Sequence, residues 1–398
     1  MNEREKAIHN LVQKYAQRDP LKQDIKGLPL AAISFGCEEI EEAIESLISG
    51  WITMGKKVRL FEDAWAEYIG VKEAIAVNSG SSALLVMLTA MVECGYLSPE
   101  QEVILPAVGW STSLFSVVQA GLTPVLVDVD LDTISLKGDF DRPVLALHLL
   151  GAAAQVNAPI VMEDACGAHG GMIGAKKLGS FGHCGAFSFF FSHHITTGEG
   201  GMITTSDSRL ADACRSIRAH GWIRERTDQQ KWIDAHPQID PRFLFATSGY
   251  NVRMTDVAAA MGIHQVNRIE NFVKIRRENH SAWCEWITSE DLPLRVFPET
   301  PNTRHAAFAF PILLNEDSPL SRSQLCALLE ADGIQTRPIS GSHLAKQPAF
   351  AKLQRGYQEG ITPNADAIHQ RGFFVGQSHA FGEKQGTFLV ERLKFHLQ

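Results

Sequence analysis

A chain of 398 residues with 45% hydrophobic content is long enough to bury the core of one large domain and a smaller companion. Its formal net charge of −8 supplies no sequence-wide positive field, which excludes nucleic-acid or anionic-membrane binding by bulk charge and requires any anionic ligand to be held locally. No apolar run reaches the roughly 18 to 20 residues that span a bilayer, and the start MNEREKAIHN lacks the apolar stretch of a secretory signal, so a cytoplasmic protein is expected.

In chain order, the first roughly 30 residues are charged and loosely patterned, and read either as an arm that packs on another part of a dimer or as a surface helix. From about residue 74 to residue 205 apolar strands alternate with helical or loop segments, the pattern of an α/β domain with a largely parallel sheet and helices on both faces. Strands are expected at Ala74–Val77, Val103–Leu105, Pro124–Val127, Val144–Leu149, Ile160–Met162, Ala186–Phe191 and Met202–Thr204. Ser81–Met91 and Asp256–Val266 read as helices. Beyond roughly residue 270, helix patterns at Lys274–Ile287 and Arg322–Asp332 and strand patterns at Ala307–Leu314 and Gln335–Ile339 indicate a smaller α+β domain. The expected division is an arm over 1–30, a large domain over 31–270 and a small domain over 271–398. The seven cysteines, Cys37, Cys94, Cys166, Cys184, Cys214, Cys284 and Cys326, contain no C-x-C or C-x-x-C pair, so reduced thiols are expected, without a disulfide framework or a local metal signature.

Three segments carry chemistry. AIAVNSGSSALLVMLTA is a strand, a Gly/Ser turn and a helix, so the N–H groups near Gly80, Ser81 and Ser82 lie at a helix N-terminus, where unpaired donors and the helix dipole favour phosphate. An ordinary helix cap fits the same residues. In VMEDACGAHG an apolar strand ends at Glu163 and Asp164, which places carboxylates at the cleft edge where α/β sheets bind ligands, although a helix cap is again the plain alternative. In GAFSFFFSHHITTGEGGMITT an aromatic strand runs into His193 and His194 and then a glycine-rich turn. A metal site from His183, His193, His194 and His220 is disfavoured, because adjacent histidines on a strand point to opposite faces. Arg218, Arg253 and Arg337 are candidates for pairing with a carboxylate or diphosphate, with structural salt bridging as the plainer role.

Taken together, these segments resemble the sugar aminotransferases of the DegT/DnrJ/EryC1/StrS family, whose S-F-x-x-x-K-x-x-T-T-G-E-G-G stretch carries a Schiff-base lysine. Aligning on Ser188 and Thr197–Gly201 puts His193 in the lysine position. WITMGKKVRLFEDAWAEYIG, NSGSSAL, LPAVGWSTS, EDACGAHGG and SGYNVRMTDVAAAMG follow in family order, so the resemblance covers roughly residues 50 to 380. It implies a fold-type-I, aspartate-aminotransferase-like architecture and a pyridoxal 5′-phosphate/pyridoxamine 5′-phosphate cofactor. Gly80, Ser81 and Ser82 would serve the phosphate, Ser188 would contact the cofactor, Trp110 would stack on the pyridine ring, and Asp164 would bind its nitrogen. Asn251 would reach the phosphate site of a second subunit in a homodimer. Two departures stand out: Gly167 where relatives usually carry Gln or Glu, and His183 in place of a frequent aspartate.

The lysine-to-histidine exchange, with IRAHGW, GYNVR, GIQTRPI and GFFVGQ, resembles the branch of the family that removes the C3 hydroxyl of a GDP-linked 4-keto-6-deoxy hexose. Imidazole cannot form the lysine's imine but can still move protons near neutral pH. The resemblance therefore implies His193 as acid/base, glutamate as amino donor, and His220 and Arg337 as substrate contacts. Iron–sulfur relatives hold their cluster with cysteines that include a C-x-C pair; none is present here, so no cluster or reductase partner is expected. The alternatives are an aminotransferase, which would need a lysine such as Lys176 or Lys177 within reach, and a non-catalytic sensor on the same fold.

Overall fold

The computed structural model describes residues 3–16, 19–351, 353 and 361–398. Seven strands, β1 (Glu73–Val77), β2 (Glu102–Pro106), β3 (Thr123–Val127), β4 (Val144–Leu147), β5 (Val161–Asp164), β6 (Cys184–Ser188) and β7 (Gly201–Thr205), form one sheet in the order β1-β7-β6-β5-β4-β2-β3. The pairs β2–β3, β2–β4, β4–β5 and β5–β6 are parallel, and β7, set between β1 and β6, is antiparallel to both. Every residue of β4, β5, β6 and β7 is buried, as a sheet covered on both faces demands.

The expected strand positions hold, and their ends move for local reasons. β4 stops at Leu147 rather than Leu149 because the chain turns through Leu149–Gly151, with Leu150 at φ 51°. The aromatic run leaves β6 after Ser188, and Phe190 and Phe191 are exposed. His193 and His194 therefore sit in a turn, not on a strand, and the alternation argument used against a histidine metal site does not apply to them.

The helices that frame the two sheets include α1 (Glu3–Tyr15), α2 (Cys37–Ser49), α3 (Lys56–Ile69), α4 (Gly80–Glu93), α5 (Ser111–Gln119), α6 (Ser208–Ile217), α7 (Asp256–Val266), α8 (Ile269–Ser289), α9 (Arg322–Ala331) and α10 (Glu383–Leu397). The charged start of the chain is thus helical; α1 buries Ile8 and Val12 and is tied to α2 by His9–Glu41 at 3.0 Å and Arg4–Glu45 at 3.1 Å. Phe61 and Trp65 of α3 share one apolar cluster with Phe187 and Phe189, so α3 backs the strand that leads to the histidines. α8 begins five residues before the expected Lys274, because Ile269, Phe272 and Val273 are all buried. A second, antiparallel sheet joins β8 (Leu294–Val296), β9 (Ala309–Leu314), β10 (Thr336–Pro338) and β11 (Gly372–Gly376) in the order β8-β9-β11-β10. Its core includes Trp283 of α8 and Leu389 and Leu393 of α10. β9 starts at Ala309 rather than Ala307, whose φ of 50° breaks the extended backbone. Among the described residues no helix is long and apolar enough to cross a membrane.

Candidate active site

The carboxyl ends of β1, β2, β5 and β6 converge, which is where open α/β sheets gather ligand-binding groups. Asp164 closes β5 and is buried; the Ser113 hydroxyl donates to its carboxylate at 2.6 Å and the Cys166 N–H at 3.2 Å. Trp110, the residue before α5, is 59% exposed, so its indole is free to cover a ligand rather than fill the core. Gly80 opens α4 against the same patch: a Cβ there would fall 2.6 Å from the Ser188 Cβ and 3.0 Å from the Cys166 sulfur. Only glycine permits that approach. The structure thus brings Gly80, Asp164 and Ser188 together.

The serines of the turn divide their work. Ser79 caps α4 by accepting the Ser82 N–H at 3.1 Å, and the Ser82 hydroxyl donates to Asn78 at 2.7 Å. Ser82 is therefore occupied within the turn, and the first-turn N–H groups of Gly80 and Ser81, with the exposed Ser81 side chain, remain for an anion.

The two histidines have different environments. His194 is fully buried, with Nε2 2.7 Å from the Ala306 carbonyl and Nδ1 3.1 Å from His169 Nδ1. Nε2 of His194 must carry the proton it donates, so His169 Nδ1–H donates to His194. His169 is itself stacked between Phe187 and Phe189, at 5.7 and 5.6 Å. His193 is half-buried: Nδ1 is enclosed without a partner, and the ring touches His169, Phe190 and Phe308 at 5.8, 6.3 and 5.0 Å. With Nδ1 enclosed, Nε2 is the ring nitrogen left to meet a ligand. Burial pulls His193 down to about 4, so the ring is neutral and able to accept a proton at pH 7.

Other candidates fall elsewhere. Glu163, adjacent to Asp164, is a structural clamp that accepts the N–H groups of Gly179, Phe181 and Gly182 at 2.6 to 2.7 Å and faces His148 at 3.0 Å. Arg218 is fully buried on Glu62, Glu225 and the Ala76 carbonyl, so it has no fork left for a ligand. Lys177 donates to the Tyr68 carbonyl at 2.6 Å, and Lys176 lines a groove with Phe181 and Cys184, at the far end of β6 from Ser188. His183 packs on Tyr96 at 5.9 Å, in that same groove.

His220 takes φ 63° where its N–H bonds the Tyr250 carbonyl at 2.6 Å, and its ring meets Trp222 at 4.8 Å. Arg253 and Trp222 line a cavity of ≈ 300 Å³. Asn251 is exposed, and its backbone bridges Ala219; the adjoining Val252 carbonyl accepts the Asn78 N–H at 2.8 Å. Arg337 is exposed on β10, which leads into a turn where Gly341 N–H bonds the Gly109 carbonyl at 2.9 Å, next to Trp110. His169 and Phe308 are contacts of His193 that sequence reasoning missed. His169 was visible only as the histidine of EDACGAHGG, and Phe308 carries no motif.

A buried carboxylate beside a serine, an exposed indole and a glycine-tight helix start form the set a pyridine ring with a phosphate arm requires, so these residues fit the cofactor. The DegT/DnrJ/EryC1/StrS aminotransferase family matches residues 34–394. GDP-4-keto-6-deoxy-D-mannose 3-dehydratase of Yersinia pseudotuberculosis is 33% identical over 370 residues, covering 87% of this chain and 93% of that protein. The enzyme of that name from Escherichia coli O55:H7 is 34% identical over 390 residues, 92% and 99% of the two chains. Among solved structures, GDP-4-keto-6-deoxymannose-3-dehydratase with a trapped PLP-glutamate geminal diamine superposes with a TM-score of 0.83 at 29% identity, covering 94% of this chain and 100% of the other. A mutant of that dehydratase with bound GDP-perosamine gives a TM-score of 0.82 at 30% identity, covering 92% and 100%.

Proposed function

This chain belongs to the DegT/DnrJ/EryC1/StrS aminotransferase family, and from that premise we propose that it removes the C3 hydroxyl of a GDP-linked 4-keto-6-deoxy hexose, with glutamate as amino donor and His193 as acid/base. It is a PLP-dependent nucleotide-sugar dehydratase on an aminotransferase-like fold. What supports the reading is the His193 ring, held neutral by burial and with Nδ1 enclosed, which aligns with the family's lysine, while Lys176 and Lys177 are held elsewhere. The relatives named as dehydratases and the neighbours holding a PLP–glutamate adduct or GDP-perosamine support the substrate, nucleotide and donor.

Asp164, Trp110, Ser188 and the Gly80–Ser81 turn would hold the cofactor. When bound it supplies amino-group exchange and a ring that accepts an electron pair. Asp164, oriented by Ser113, would keep the ring nitrogen protonated. His193 would accept a proton at Nε2 and deliver it to the departing C3 hydroxyl, which leaves as water. Overall, glutamate is oxidised to 2-oxoglutarate and ammonia, and its two electrons replace the C–O bond by C–H, so no external reductant is consumed. A second copy of this chain would complete the site through Asn251, which is exposed, and His220 and Arg337 would meet the substrate.

Borohydride treatment of the PLP-loaded protein tests the premise. No pyridoxyl group should remain on the chain; a stable pyridoxyl-lysine overturns the reading in favour of amino transfer.

A further inference from the structure

Arg276, on α8, is 1% exposed, and among the described residues no carboxylate pairs with it: burial alone pushes it down, to about 9. A guanidinium remains charged at neutral pH, and a buried charge without a counter-ion is among the most expensive arrangements a fold can hold. All of its hydrogen bonds run from Nη1 to main-chain oxygens, Ala307 and Phe308 at 3.2 Å each and Gln377 at 2.7 Å, and Nε has no acceptor.

The loop it grips is fixed at every residue. Ala306 N–H bonds the Gly151 carbonyl at 2.9 Å and Phe308 N–H the Leu150 carbonyl at 3.1 Å. Ala307 N–H bonds His305 Nδ1 at 2.8 Å, and the Ala306 carbonyl accepts His194 Nε2 at 2.7 Å. Ala307 is held at φ 50°, a left-handed conformation that alanine adopts only under such constraint. The constrained backbone presents one ring, Phe308, 5.0 Å from His193 and 6.1 Å from His194.

We propose that Arg276 is a positioning residue for His193, holding the Phe308 wall against that imidazole and placing an unpaired positive charge behind it. The inference rests on reading His193 as the proton-moving group. The titratable groups around His193 are His169 from the segment after β5, His194 from its own turn and Arg276 from α8, whose charge also acts on His379, after β11. Burial is the main cause that keeps these four histidines neutral; the charge of Arg276 comes next for His194 and His379, and lowers His169 and His193 more weakly, behind His193 itself for the former and against a bond to the Phe190 backbone for the latter, so Arg276 is the standing charge of the group. A second positive charge on His193 is disfavoured, and the ring gives up readily the proton it accepts.

The test is the titration of His193 by NMR of the histidine-labelled full chain, without cofactor and with PLP, its signal assigned by its loss in His193→Asn. Arg276→Met keeps the stem and removes the charge; Arg276→Lys keeps the charge and loses the fork. In Arg276→Met the His193 midpoint should rise by about one pH unit. Conversion of bound PLP by glutamate at pH 7 should slow at least about tenfold, with KM for glutamate changed less than about threefold. Arg276→Lys should hold the midpoint and still lose rate. An unmoved midpoint in Arg276→Met overturns the charge role, and a wild-type rate in Arg276→Lys overturns the positioning role. If Arg276→Met does not fold, the Arg276→Lys rate decides alone. Full activity in His193→Asn would instead sink the catalytic reading, and the cofactor-free midpoint is read independently of that result.

Discussion

His194 has both nitrogens engaged inside the protein, on the Ala306 carbonyl and on His169, whereas His193 is half-buried and its Nδ1 has no partner. On the proposed function, chemistry falls to the histidine with the looser hold. His193→Asn should lower 3-deoxy sugar formation by about 10² to 10⁴, the range of a lost general acid–base, while urea midpoints stay near wild type. His194→Asn should do the reverse and destabilise by about 1–3 kcal/mol through an unsatisfied buried group. The pH dependence follows in sign: with its midpoint at about 4, His193 is unprotonated over the neutral range, and its ability to accept a proton is lost only as pH falls through that value. An acid limb near pH 6.5 in wild type that disappears in His193→Asn would contradict this. The family was legible in the sequence because the residues on both sides of His193 match the family's stretch. Phe308 and Arg276 were not, because they lie far along the chain from His193, only the fold brings them near it, and neither belongs to a motif.

At the scale of elements, the central strands were legible because burial on both faces forces continuous apolar runs. Their ends were not, since they depend on single backbone positions: the turn through Leu150 ends β4, and Ala307 delays β9. Glu163 shows why a motif can be located correctly while its members differ in role. The strand places it beside Asp164, but it accepts three N–H groups from the Gly179–Gly182 loop at the start of β6. Glu163→Gln, which gives up charge-assisted acceptance at a buried site, should destabilise by about 2–4 kcal/mol in urea unfolding and leave the rate of glutamate conversion per folded molecule unchanged. Loss of rate without loss of stability would place Glu163 in the chemistry.

For the whole molecule, the exposed rings are the relevant feature. Trp51, Trp110, Phe190, Phe191, Phe243 and Phe245 are all more than 40% exposed. On the proposed function, a second copy would bring Asn251 to the neighbouring site. Subunit mixing tests this directly. His193→Asn and Asn251→Ala chains, each inactive alone, should regain about a quarter of wild-type activity when refolded in equal amounts, because half the dimers would be mixed and each would hold one intact site. No recovery would mean that Asn251 serves its own chain or none.

The central claim is a change of reaction rather than the loss of one. PLP-loaded protein given a GDP-linked 4-keto-6-deoxy hexose and excess glutamate, with no other reductant, is assayed for ammonia, 2-oxoglutarate and sugar product. One ammonia and one 2-oxoglutarate for each 3-deoxy-4-keto sugar is the predicted result; an amino sugar formed without free ammonia would contradict it.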